Sequence, residues 1–124
     1  LTDSHGHLGL RAAGFWLQEH VQNINDLTII TPSKGVVALF YASGKKGPKG
    51  KNIRITPNMT LQEVTALVSS GEADYLLLDN WYVHTRQQLM PLWDNPGLAQ
   101  GYGLFLVYRD TDGLFQVYTA VRKH

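Results

Sequence analysis

The chain has 124 residues, 44% hydrophobic and 17% charged, a balance that fits one folded domain and excludes disorder. Eleven Lys and Arg against ten Asp and Glu give a net charge of +1, without the broad basic face of a nucleic-acid binder, so no nucleic-acid partner is expected. The absence of Cys excludes disulfides, thiolate catalysis and Cys-ligated zinc, and no apolar run nears the ~18–20 residues that cross a bilayer.

Residues 8–21 carry Leu8, Ala12, Phe15 and Trp16 at helical spacing, with Leu10, Ala13, Leu17 and Val21 in an adjoining stripe. They predict a helix, with Thr2, Asp3 and Ser4 as candidate caps. The β-branched run 27–31 predicts a buried strand. Pro32 and Ser33 end it and suit the start of a helix through Val36, Val37, Leu39 and Phe40, with Gly44 as its stop. Residues 44–52, GKKGPKGKN, read as a loop, and 53–56 as a brief strand. Thr60-Leu-Gln-Glu63 is a capping-box pattern that opens a helix over 60–70, with Gly71 as its terminator. The apolar run 73–79 follows after a short connection and predicts a central parallel strand buried on both faces. A helix is expected over 82–90, ending before Pro91, then a loop over 91–101. Strands over 102–108 and 114–121, joined by a turn at 109–113, close the chain as an antiparallel hairpin.

The alternation predicts an α/β fold: a three-layer α/β/α sandwich with a mostly parallel sheet and a C-terminal antiparallel hairpin. Residues 1–124 form a single domain on this reading. The chain begins at Leu1 rather than Met and reads as a soluble domain excised from a larger membrane protein.

Phosphate-binding loop patterns are missing: Gly101-Tyr-Gly103 precedes a strand instead of opening a helix. Pro32-Ser33-Lys34-Gly35, at a helix start, is equally an anion-binding turn or a plain strand-to-helix connection. No Ser sits in a nucleophile-elbow context. The richest stretch is 79–86. Asp79 ends the central strand, where open α/β sheets bind ligands. Asp79, His84 and Arg86 could supply a base and an anion clamp, and Trp81 and Tyr82 a stacking surface for a sugar ring. The other reading is that Asp79 or Asn80 caps the next helix and the aromatics pack under the loop.

Lys45, Lys46, Lys49 and Lys51 lie within seven residues, and the rest of the chain carries −3 without them. This basic loop is either simply solvated or a contact for anionic lipid head groups. His5 and His7 are two nitrogen ligands without a third, so no metal is expected. Asn58-Met-Thr60 is a glycosylation sequon that shares its Thr with the helix cap.

Four stretches in order resemble a known family: 9–31 (GLRAAGFWLQEHVQNINDLTIIT), 36–44 (VVALFYASG), 72–79 (EADYLLLD) and the closing GLFLVYRDTDGLFQVY. Together they resemble the C-terminal extracytoplasmic domain of polytopic, lipid-phosphosugar-dependent glycosyltransferases, the dolichyl-phosphate-mannose protein mannosyltransferase-like and aminoarabinose transferase-like group. The resemblance implies a parent enzyme in the cell membrane that transfers a sugar from a polyprenyl-phosphate donor. No position here matches that family's catalytic acidic motif, so no catalytic residue is carried over. The implied role is an accessory domain on the extracytoplasmic face, partnered by the transmembrane portion of the same polypeptide and in reach of donor or acceptor, with no cofactor of its own. The GKKGPKGKN insert departs from the tighter turn expected there. A free-standing α/β ligand-binding module or small hydrolase using the Asp79–Arg86 loop is the alternative.

Overall fold

The computed structural model describes residues 4–32, 35–43 and 50–120, without the side chains of residues 4–7, 35 and 36. Thr2, Asp3, Ser33, Lys34, Gly44, Lys45, Lys46 and Lys49 therefore lie outside the described residues, as do the side chains of His5 and His7.

Helix α1 (Ser4–His20) starts earlier than its apolar stripe. Leu10, Ala13, Trp16 and Leu17 make its buried face. Strand β1 (Thr28–Thr31) and helix α2 (Gly35–Ala42) follow. The two helices touch closely at Gly14, where a Cβ would stand 2.5 Å from the Ala38 carbonyl oxygen. Strand β2 (Lys51–Arg54) begins inside the segment read as loop, so Lys51 is an exposed strand residue paired with Thr28. Helix α3 (Leu61–Ser69) has the expected capping box. The Thr60 hydroxyl accepts from Glu63 N at 3.1 Å, and the Glu63 carboxylate accepts from Thr60 N at 2.9 Å. Thr60→Ala frees one of these donors and is expected to cost about 1 kcal/mol. A urea titration with an unshifted midpoint would show that the box does not hold the helix.

Strand β3 (Tyr75–Asp79), strand β4 (Leu104–Arg109) and strand β5 (Phe115–Ala120) complete one five-stranded sheet of order β2-β1-β3-β5-β4. The sheet is mixed rather than mostly parallel. β1 runs parallel to β2 and β3, whereas β5 runs antiparallel to both β3 and β4. The reason is the placement of the terminal hairpin. Its second strand, not its first, lies beside β3, so half of the pairings are antiparallel. β3 is central and buried, as expected, but has a parallel neighbour on one side only.

Successive strand residues point to opposite sides of the sheet. Ile29, Leu77, Phe115 and Val117 join the core of α1 and α2, while Ile30, Leu76, Leu78 and Tyr118 join that of α3. The helix expected over 82–90 is instead two 3-10 turns, Tyr82–Thr85 and Gln87–Leu89. Arg86 interrupts them with φ −133° and ψ 86°. Pro91 does not stop a helix but starts one: α4 (Met90–Asp94) has it in its first turn, where its missing N–H costs nothing. The expected loop over 91–101 is α4 followed by a 3-10 segment, Pro96–Tyr102. Gln116 Nε2 donates to the Trp93 carbonyl at 3.1 Å, and the Tyr118 hydroxyl lies 3.3 Å from that of Leu92. These buried groups tie α4 to the sheet. The hairpin turn is as expected: Asp110 Oδ2 accepts from Asp112 N and Leu114 N, and Gly113 has φ 72°. Among the described residues, no helix is long and apolar enough to cross a membrane.

Candidate functional site

The parallel strands β1 and β3 end at one edge of the sheet, where β5 begins. Asp79 is the last residue of β3 and is fully buried. Its Oδ2 accepts from Trp81 N at 3.0 Å and Tyr82 N at 2.8 Å, folding the chain into the first 3-10 turn. Asp79 thus binds the N–H groups of the following turn in the manner of a cap, but the helix that the sequence reading had it cap is absent and Trp81 does not pack beneath the loop. Its Oδ1 is buried without a hydrogen-bond partner, and so is Asn80 Oδ1. Burial pushes the Asp79 carboxyl above its ordinary range, against the smaller opposing pull of the two N–H donors and of His84.

Gly9 of α1 closes this corner. A Cβ there would lie 2.4 Å from the Leu114 carbonyl oxygen, 2.9 Å from Asn80 Oδ1 and 3.0 Å from Asp79 Cβ. The same Leu114 oxygen accepts from Asn80 N at 2.9 Å. The helix thus presses its backbone onto the end of β3, which keeps water from the carboxyl.

The other members of the stretch diverge. Trp81 is the most exposed large apolar residue described, at 54%. Tyr82 is half-buried against the α1/α2 core, and the following Val83 enters the α3 core. His84 is exposed. Arg86 is 8% exposed and anchors on the α3 side. Its Nε donates to the Ile55 carbonyl at 2.6 Å, and its Nη1 to the Thr85 carbonyl at 2.9 Å and to Thr85 Oγ1 at 3.3 Å. The loop therefore straddles the strand edge, with Asp79 and Tyr82 facing one helical pair and Arg86 held by the connection after β2.

Among the described residues, this arrangement does not bring a nucleophile together with a base. Asp79 is occupied as a turn acceptor, and the donors of Arg86 are partly used on main-chain oxygens. Sequence reasoning found Asp79 and Arg86 but missed Gly9, Ile55 and the Leu114 carbonyl. Ile55 and Leu114 contribute main-chain oxygens that any residue would supply, so no side-chain signal marks them. Gly9 contributes the lack of a side chain.

The basic loop contributes only Lys51 to the described residues. That strand start is opposite the Asp79 edge, because β2 runs parallel to β1 and β3. A shallow hollow lined by Val21, Asn23, Asp26, Leu27, Asp74 and Tyr75 also lies at that opposite end. There Asp74 Oδ2 accepts from Thr28 N at 2.9 Å, so this acid too is tied to the fold. No family model, curated protein or solved structure matches the chain.

Proposed function

We propose that this chain is a non-catalytic accessory domain, on the extracytoplasmic face, of an integral-membrane glycosyltransferase that takes its sugar from a polyprenyl-phosphate donor. On this reading the helices on the two faces of the mixed sheet make a three-layer sandwich. Its partners are the transmembrane portion of the same polypeptide and the donor or acceptor held against it. The observation that carries the reading is the commitment of Asp79 to the main chain: its Oδ2 takes two turn donors, and its Oδ1 is sealed. A catalytic acid for sugar transfer must then come from elsewhere. The ordered stretches that resemble the transferase family lend further support, since they fall on α1 to β1, α2, β3 and the β4–β5 hairpin.

Membranes containing the full gene product are expected to transfer sugar from a polyprenyl-phosphate sugar, and the 124-residue chain alone is expected to transfer none. The coding sequence before Leu1 should encode several apolar spans of ~20 residues. Turnover by the isolated chain, or a coding sequence without such spans, would remove the reading.

A second reading, a free-standing ligand-binding module or small hydrolase using the Asp79–Arg86 loop, is favoured by the exposure of Trp81, at 54%, on that loop. It requires Asp79→Ala and His84→Ala to weaken ligand binding.

A further inference from the structure

Arg86 is the one buried Lys or Arg among the described residues. Taking a guanidinium out of water is costly unless charge and hydrogen bonds are returned to it. Here it receives carbonyl and hydroxyl oxygens but no carboxylate. The buried carboxyl, Asp79, feels the charge of His84 and not of Arg86. These bonds use Nε and Nη1, leaving Nη2 with no hydrogen bond. Nη2 is nevertheless not sealed, since the buried side-chain atoms without partners are Asp79 Oδ1 and Asn80 Oδ1. A fixed cation therefore keeps the two hydrogens of Nη2 unused and not fully shut off from solvent.

The frame around it is held firmly. Gln88 Nε2 donates to the Thr56 carbonyl at 3.0 Å and to the Met59 carbonyl at 2.7 Å, pinning the connection that carries Ile55. Thr85 Oγ1 donates to the Tyr82 carbonyl at 2.6 Å, pinning the other side. An anchored guanidinium loses little freedom when it binds, and the two hydrogens of Nη2 remain for the oxygens of an anion.

We propose that Arg86 is a binding residue for a phosphate group, which supplies the missing negative charge and accepts from Nη2. This deepens the transferase reading and rests on it for the source of that group, the phosphate of a polyprenyl-phosphate donor. Free phosphate offers the same chemistry.

The test follows the Arg86 side-chain N–H signals by NMR in the 124-residue chain. Inorganic phosphate should move them, whereas chloride at equal ionic strength should not. Arg86→Lys, which keeps the charge but loses Nη2 and the two anchored nitrogens that aim it, should weaken binding by about tenfold or more. The exposed Arg54→Gln should leave it unchanged. Should Arg86→Lys fail to fold, the wild-type titration against phosphate and chloride still decides. Arg86 signals that stay still, or equal affinity in Arg86→Lys, would overturn the site and leave the transferase reading to its own assay. Neutral phosphatidylcholine vesicles carrying polyprenyl phosphate should bind the chain, and the same vesicles with phosphatidylglycerol should bind less. Response to free phosphate without binding to polyprenyl-phosphate vesicles would overturn the lipid donor as the source.

Discussion

Gly9→Ala is expected to destabilise the fold by about 3 kcal/mol, the upper range for an atom forced into a packed interior. The added methyl would meet the Leu114 carbonyl oxygen at 2.4 Å, a contact that only backbone movement relieves. Leu114 O cannot retreat freely because it accepts from Asn80 N, and Asp79 and Asn80 are held by the end of β3. Relief must come from lifting α1, which would open the core around Leu10 and Leu77. Gly101→Ala serves as the comparison. Nothing lies within 4 Å of a Cβ at Gly101, so it should be neutral or slightly stabilising through loss of unfolded-state freedom. Urea unfolding of both variants decides the matter: a Gly9→Ala midpoint equal to that of Gly101→Ala would refute the close approach.

The second large effect separates two substitutions at Asp79. Asp79→Ala removes the acceptor of two turn N–H groups and should cost about 3 kcal/mol, in line with stranding buried donors. Asp79→Asn keeps an acceptor oxygen for them and puts an NH₂ where the unpartnered Oδ1 now stands, so it should be tolerated. The pH dependence carries the sign. The folded carboxyl holds its proton to higher pH than the unfolded one, whose ordinary value is 3.8. Over the interval between these two values the folded state binds more protons, so stability falls as pH rises. Below 3.8 both states are protonated and the difference is constant; above the raised folded value both are ionised and the fall ends. Asp79→Asn lacks this slope and should gain on the wild type as pH rises from 4. Unfolding free energies that favour the wild type increasingly over the same interval would contradict a buried carboxyl disfavoured by desolvation.

The features readable from the chain were those set by neighbours in sequence. Thr60 and Glu63 make a reciprocal cap because both partners lie within one turn. The run ending at Asp79 is a buried strand because its residues are apolar without interruption. Asp110 and Gly113 make a turn for equally local reasons. Pro91 misled because the same missing N–H suits the residue after a helix and the residue that starts one. Strand order was also hidden, since periodicity tells which side a residue faces and not which strand lies beside it. At the candidate site the acidic and basic side chains were visible, but their partners were not. Arg86 is held by Ile55, 31 residues away, through a main-chain oxygen.

The position of β5 bears on how the chain is made. The last strand among the described residues, β5, is an interior one, placed between β3 and β4. Until β5 is made, β3 has β1 on one side and an open apolar edge on the other, the kind of edge that recruits foreign strands. Sheet closure must wait for Phe115–Ala120 to insert, rather than for an edge strand to dock. Shortening the chain into β5 would therefore split the sheet through its middle, separating β4 from the strands that carry the Asp79 edge.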